Sequence, residues 1–429
     1  MSGDLIPILE PRWAKRELPQ AKSAPTVAAS PAPKTPEPAA SARADFPQFL
    51  GPHRTAVING VTLDADWAAH PPQIVWRQKI GAGWSGFVIV GNRAITQEQR
   101  GEEELVTCYD LSTGQLLWSH ADAARYFTPI AGEGPRATPT VVSNRVFTLG
   151  STGILNCLDL ASGKSLWTHN ITTEAGAKVP DWGYAGSPLM LDGKVIVSAG
   201  GEQGKSMLGY RADSGELAWS AGNTQASYGT PFAATLAGTR QILIFNQRRV
   251  TSHDAQSGAV LWDYPFGAGM PNVSIPVVIG PDEVVFSSGY GVGSELLHIR
   301  GQADGKLAAE RVWESKKMKA KFANLVAHEG FLYGLDDGIL ACVDLKDGSQ
   351  RWKEGRYGHG QGLWIGDLYL LMAENGELVL LRPTPDKPNE LHRFRVFDSK
   401  TWNPIAISGE WLLVRNDLEA ACLKVALKK

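Results

Sequence analysis

Asp110-Leu-Ser-Thr-Gly114-Gln-Leu-Leu-Trp118 and Asp159-Leu-Ala-Ser-Gly163-Lys-Ser-Leu-Trp167 are two copies of one phrase, a glycine turn with a tryptophan four residues beyond it. The pairing returns as Gly215 with Trp219, Asp254 and Gly258 with Trp262, and Asp344 and Gly348 with Trp352. A sixth copy, Gly305 with Trp313, is stretched by four residues. Repeats of about 40 to 50 residues built from short strands point to a β-propeller, in which each repeat is one four-stranded blade.

The strands can be read inside the repeat. Thr138-Pro-Thr-Val-Val forms an inner strand, Arg145-Val-Phe-Thr-Leu its hairpin partner, Ile154-Leu-Asn-Cys-Leu-Asp the third and Ser165-Leu-Trp-Thr-His the outer one, with Ser-Asn and Thr-Gly at the turns. Glycine permits a positive φ where the third strand folds back, and the aspartate before it satisfies turn amides. Tryptophan then falls on the outer strand, where its indole can wedge against the next blade. Trp76, Trp118, Trp167, Trp219, Trp262, Trp313 and Trp352 fill this row and Phe394 continues it, which makes eight outer strands. Trp76 has no inner strands before it, while the C-terminal Ile405-Ala-Ile, Trp411-Leu-Leu-Val and Ala420-Ala-Cys-Leu-Lys-Val have no outer strand after them. The expected fold is all-β: an eight-bladed propeller of four-stranded antiparallel blades, closed by the N-terminal strand completing the last blade.

Composition agrees with one large β domain over residues 45–429. The chain has 429 residues with 46 Gly and 14 Trp, and its 42 basic against 44 acidic residues give no support for a nucleic-acid partner. No apolar run approaches the roughly 20 residues needed to span a bilayer. Residues 1–44 differ: from Ala21 to Ala44 the chain is almost wholly Ala, Pro, Ser, Thr and Lys, a composition expected of a disordered tether. Its first residues show neither a basic region nor an apolar stretch of signal-peptide length. Cys108, Cys157, Cys342 and Cys422 recur at one repeat position, hence in different blades, and disulfide Cα separations rarely exceed about 7 Å; they read as small buried residues.

Loops leading from one outer strand to the next inner strand surround one mouth of a propeller's channel. They place Trp84, Ser85, Arg136, Asp181, Trp182, Tyr184, Tyr228, Asn272, Lys321, Asn324, His359, Gln361, Trp402 and Asn403 there. Several of these loops end in a small or polar residue before proline, as in Thr138-Pro139, Ser187-Pro188, Thr230-Pro231 and Asn403-Pro404; one reading makes these strand starts and caps, another makes them part of a ligand funnel. Aromatics, Arg, Lys, Asn and His converging on one funnel suit a small polar or anionic ligand. Gly289-Tyr-Gly-Val-Gly has no helix pattern after it and reads as a hairpin turn, and Lys316-Lys-Met-Lys-Ala-Lys321 is a cationic loop near the mouth.

The phrase Asp-x-x-(Ser/Thr)-Gly-x-x-x-Trp resembles the tryptophan-docking repeat of pyrroloquinoline-quinone (PQQ)-like propellers, found in quinoprotein alcohol dehydrogenases and in the outer-membrane-assembly lipoprotein propeller. Phe46-Pro-Gln-Phe-Leu-Gly-Pro-His-Arg, Gln97-Glu-Gln-Arg-Gly, Gly134-Pro-Arg-Ala-Thr-Pro-Thr and Ser287-Ser-Gly-Tyr-Gly are similar to the PQQ-binding-like propeller proteins common in planctomycetes and acidobacteria. The resemblance covers residues 46 to 427 and implies an exported, extracytoplasmic protein, expected to be a monomer. It opens two functional expectations: a non-catalytic scaffold holding a small polar or anionic ligand or a protein partner at the funnel or rim, and a PQQ-dependent dehydrogenase of an alcohol or sugar. The second needs Ca²⁺ on Glu and Asn oxygens, a carboxylate base, an Arg on the quinone oxygens and an aromatic floor. Arg136, Asn324, Asn403, Asp181 and Trp182 offer parts of that set, and Glu98 a carboxylate if its segment turns inward. The sequence has neither a Cys-x-x-Cys-His haem signature nor an adjacent Cys-Cys pair, and the scaffold is the leading expectation.

Overall fold

The computed structural model describes residues 3–4, 43–303 and 305–428. The tether expected for residues 1–44 lies almost wholly outside them. The fold is an eight-bladed β-propeller. Blade 1 comprises Val88–Val90, Arg93–Arg100, Glu103–Asp110 and Leu116–Asp122; blade 2 Thr140–Val142, Arg145–Leu149, Ile154–Asp159 and Ser165–Asn170. Blades 3 to 6 repeat the pattern and end on the outer strands Leu217–Ala221, Val260–Pro265, Leu307–Ser315 and Gln350–Arg356. Blade 7 runs from Gln361–Ile365 to Glu390–Arg395. Blade 8 is composite: Ala406–Ser408, Trp411–Arg415 and Glu419–Lys424 take Gln73–Lys79 as their outer strand, with Trp76 opposite Cys422. The single helix among the described residues is Ile171–Ala175, and no described helix is long and apolar enough to cross a membrane.

What joins the blades is an indole laid on the next blade's glycine turn. A Cβ on Gly114 would lie 2.8 Å from the Trp76 ring, one on Gly215 2.8 Å from Trp167, and one on Gly348 2.8 Å from Trp313; Gly163 and Gly258 meet Trp118 and Trp219 in the same way. The motif glycine is therefore required twice, for its left-handed turn (φ 73° at Gly114, 69° at Gly163) and for its missing side chain. At five blade contacts the indole Nε1 donates to a carbonyl of the next blade: Trp76 to Leu111 (2.8 Å), Trp118 to Leu160 (3.1 Å), Trp167 to Ala212 (3.2 Å), Trp313 to Leu345 (2.8 Å) and Trp352 to Thr384 (2.8 Å); the Trp219 Nε1 is buried without a partner. The stretched repeat breaks the rule. Gly305 has nothing within 4 Å of its would-be Cβ, and Trp262 turns its Nε1 to Gln241 Oε1 of its own blade (2.8 Å). All four cysteines are free and buried, each directly opposite a tryptophan of the outer-strand row.

Around the channel the polar residues that precede the inner strands form a girdle between blades. Gly86 N–H donates to Thr138 Oγ1 (3.1 Å), Thr138 N–H to Ser187 Oγ (2.9 Å), and Ser187 N–H to Thr230 Oγ1 (3.0 Å). Farther round, Ile275 N–H donates to Asn324 Oδ1 (3.1 Å), and Asn403 Nδ2 reaches Ser85 O (2.9 Å) across the closure. These residues are engaged sideways, and the inner strand of blade 2 consequently begins at Thr140, later than the Thr138 expected from sequence.

One end of the channel is closed by the segment Phe46–Ile58. Phe46 bridges Ile89 of blade 1, Pro47 O accepts from Val141 of blade 2, and Val57–Ile58 adds a short parallel strand to the inner strand of blade 7. Between these anchors Arg54, 2 % exposed, spends its guanidinium on Thr140 Oγ1 (3.1 Å), Ser187 O (3.3 Å), Pro231 O (3.4 Å) and Pro188 O. One buried cation thus ties blades 2, 3 and 4 together, and burial lowers its pKa to about 9.

Trp118→Ala is expected to destabilise the protein by about 3–5 kcal/mol, and Gly163→Ala by about 1 kcal/mol or more through the left-handed turn it occupies. Leu166→Ala, at a side chain 49 % exposed, is the control; a melting shift for Trp118→Ala no larger than the control's rules out the docking role. For closure, a chain starting at Arg43 should keep a cooperative melt, whereas one starting at Ile80 leaves Glu419–Lys424 as an open edge and should aggregate in light scattering. Equal solubility of the two would refute the closure.

Candidate functional site

At the other end the channel opens into a cavity of about 150 Å³ to which all eight inter-blade connections contribute. Its wall includes Trp84, Ile130, Ala131, Arg136, Trp182, Tyr228, Thr230, Val273, Lys321, Phe322, Asn324, Gln361, Trp402 and Pro404, with Phe49 entering from the strap and Tyr290 from the turn between the second and third strands of blade 5. The rings form two groups. Trp402 lies 4.8 Å from Trp84 and 5.2 Å from Phe322; opposite, Trp182 stacks on Tyr228 at 5.0 Å and 23° and meets Tyr290 at 6.2 Å. Lys321 links the groups, its ammonium 4.9 Å from the Tyr290 centroid and 5.9 Å from that of Phe322, while Lys400 Nζ sits 3.9 Å over Trp402. A cation over ring faces gains electrostatically while staying a donor to anything that enters.

Arg136 is the second cation of the wall. It lies over the Tyr126 ring at 4.8 Å and donates to Gly134 O, Ala131 O (3.2 Å), Gly132 O (3.0 Å) and Ser151 Oγ (3.3 Å). It therefore pins the small hairpin of Phe127–Thr128 and Gly132–Glu133 over the cavity, which Trp84 Nε1 also holds through Ala131 O (2.7 Å). Burial lowers the Arg136 pKa to about 10. Behind it Glu104, 4 % exposed, accepts the Ser151 amide at 3.1 and 3.2 Å. Burial lifts Glu104 to about 7, against the opposing pull of Ser151 and Arg136.

Of the residues placed at the mouth by sequence, Arg136, Trp182, Tyr228, Lys321, Asn324, Gln361 and Trp402 meet around this cavity. Trp84 joins them, whereas Ser85, Asn272 and four others do not line it. Tyr184 is buried beneath the loop with its hydroxyl on Ala199 O (2.8 Å), because Gly183 turns the chain inward after Trp182. Asp181 is exposed, and Asn403 spends Nδ2 on Gly83 O (3.0 Å) and Ser85 O. His359 packs behind Phe322 at 4.9 Å, its amide on Glu374 Oε2 (2.9 Å). Within the lining set, Asn324 and Gln361 are themselves partly committed, Asn324 Oδ1 to Ile275 and Gln361 Nε2 to Phe322 O (2.6 Å). Phe49, Ile130, Tyr290 and Phe322 escaped the sequence reading. Tyr290 had a usable signal: in antiparallel blades the second turn lies on the same face as the blade-to-blade loops.

The oxygen donors a Ca²⁺–quinone pair requires are not assembled here. No Asp or Glu lines the cavity, and no group of three His, Cys, Asp or Glu among the described residues is spaced to hold a metal. Glu98 is fully buried, bound by Tyr109 OH (2.6 Å), Arg100 (3.1 Å) and the Gly81 amide. Burial resists its ionisation, but Arg100 and Arg415 outweigh burial and hold the carboxyl below its ordinary range. Asn403 Oδ1 is buried without a partner, behind the wall and not on it.

The raised pKa of Glu104 has a definite sign. The folded protein holds a proton there that the unfolded chain releases above about pH 4.5, so this contribution is fully present below that value and is lost as pH rises through about 7. Glu104→Gln should melt like the unaltered protein near pH 4.5 and above it near pH 8; parallel melting curves across that range would refute the buried ionisation.

The family model for outer membrane protein assembly factor BamB matches residues 68–177 and 102–354, well over half of the 429 residues. No curated protein matches the sequence. Among solved structures, BamB from Moraxella catarrhalis superposes with a TM-score of 0.59 at 15 % identity, covering 82 % of this chain and 99 % of that one. A europium-containing methanol dehydrogenase gives 0.63 at 12 % identity, covering 87 % and 90 %. The quinohemoprotein alcohol dehydrogenase of Comamonas testosteroni gives 0.62 at 12 %, covering 90 % and 81 %. At these identities the likeness is one of fold, shared by an assembly factor and by dehydrogenases alike. With its docked indoles, its eight closed blades and this match, the chain belongs to the PQQ-like propeller family described by BamB.

Proposed function

We propose that this protein is a non-catalytic propeller scaffold whose funnel holds a small anionic ligand with a planar or apolar body. The observation that carries the reading is the composition of the cavity wall: two facing aromatic groups, the cations Arg136 and Lys321, and no carboxylate. Rings supply area and stacking, while cations in a recess with low-dielectric walls concentrate negative charge. Arg54 in the channel below, held by carbonyls and a hydroxyl, adds to the same field. Family membership supports an extracytoplasmic setting and a protein partner at the rim, with the protein itself a monomer.

PQQ is a planar polyanion, so the same wall also favours the dehydrogenase reading in its aromatic and cationic half. In that reading Trp182, Trp402 and Phe322 would hold the ring system and Arg136 and Lys321 its negative oxygens. The carboxylates for Ca²⁺ and for a base are missing from the wall, and on that donor set no catalytic step is assigned.

PQQ thereby serves as a probe of the funnel. Titrated with tryptophan fluorescence as the readout, it should bind with a salt-sensitive affinity unchanged by Ca²⁺ or EDTA. Lys321→Met and Trp182→Ala should each weaken it by about tenfold, about 1.4 kcal/mol. EDTA-sensitive binding accompanied by dye-linked alcohol oxidation would replace the scaffold with the quinoprotein.

A further inference from the structure

Gly3 and Asp4 sit at the funnel mouth, far in sequence from everything they touch. The Gly3 amide donates to Glu374 Oε1 (2.7 Å) and its carbonyl accepts from Lys321 Nζ (2.6 Å). The Asp4 carboxylate meets His359 Nε2 at 3.0 Å and Arg356 at 3.6 Å. Gly3 is buried and forms part of the cavity wall, and a Cβ there would lie 2.7 Å from His359 Cγ. Donor, acceptor, steric limit and charge are thus each read by a separate side chain. Glu374 is oriented in advance, since its other oxygen already accepts the His359 amide (2.9 Å). These are requirements of a peptide backbone at a glycine followed by an acidic residue.

We propose that Lys321, Arg356, His359 and Glu374 form a binding site for a glycyl-aspartyl peptide segment, occupied in cis by Gly3-Asp4, which caps the aromatic cavity. The inference rests on the funnel being a binding site and names its second ligand class. Capping accounts for the cavity's modest 150 Å³, below the roughly 300–1,000 Å³ of open ligand pockets. Site and occupant share one chain, so a competing segment faces an effective concentration on the order of millimolar for tethered partners.

The test uses the full chain and a fluorescein-labelled peptide with the sequence of residues 1–8, followed by anisotropy. The double variant Gly3→Val/Asp4→Lys, which leaves the propeller untouched, should bind the peptide at least about tenfold more tightly than the unaltered chain. Adding Arg356→Glu, at a rim side chain 62 % exposed, should abolish that gain without changing the melting temperature. No binding to the double variant, equal affinity for both chains, or binding that survives Arg356→Glu together with Lys321→Met overturns the proposal. PQQ titrated into the same chains reads the funnel separately: peptide exchange without PQQ binding removes the small-anion reading alone, and PQQ binding without peptide exchange removes the peptide site alone.

Discussion

The ring depends on one contact repeated at five of its eight blade junctions, an indole lying on a glycine turn of the neighbouring blade. Burying a ring of this size stabilises by a few kcal/mol, and the contact exists only because the turn residue has no side chain to hold the indole off. The strand that closes the ring carries the dock as well: Gln73–Lys79 completes blade 8 by backbone pairing, and its Trp76 packs on Gly114 of blade 1. Closure therefore uses the same interface as the rest of the ring. The glycine dock joins blades 8 and 1, 1 and 2, 2 and 3, 3 and 4, and 5 and 6; where the repeat is stretched, Trp262 bonds within its own blade instead, and Trp352 meets blade 7 through Thr384 O.

A closed ring leaves a channel whose lining must satisfy the ends of eight inner strands without water-filled gaps. Two devices do so here. The hydroxyl and amide girdle from Thr138, Ser187, Thr230, Asn324 and Asn403 absorbs backbone amides and carbonyls between blades. The Phe46–Ile58 strap fills one end and brings Arg54 to the carbonyls the girdle leaves over. With that end plugged the channel is a funnel with a single mouth, and Phe49 of the strap becomes its floor.

The architecture was readable because its determinant is periodic and local: a glycine and a tryptophan four residues apart are seen in sequence as they are used in space. The site was readable only in part. Loop position brings Trp182, Tyr228, Lys321 and Trp402 to the cavity wall, yet it could not give side-chain direction, and one glycine sends Tyr184 into the core where Trp182, two residues before it, enters the cavity. The residues before proline illustrate the competition more sharply. Asn403 has the chemistry of a ligand contact, but an amide beside two unsatisfied carbonyls of the next blade is drawn sideways to them. Phe49 and Glu374 were illegible for another reason: each acts through a segment distant in sequence, the strap in one case and Gly3 in the other, and no spacing rule relates them to a repeat.

The same ring serves an assembly factor and several dehydrogenases, so the distinction between holding and reacting must come from what the wall presents. In this chain three buried or half-buried acidic groups near the funnel are engaged behind it. Glu98 is closed in by Tyr109, Arg100 and the Gly81 amide; Glu104 accepts the Ser151 amide; Glu374 accepts the amides of His359 and Gly3. Each of the three supports backbone or a cation. What faces inward is rings and positive charge. Such a wall gains from an anion arriving, which is the physical basis of the retention proposed for the funnel.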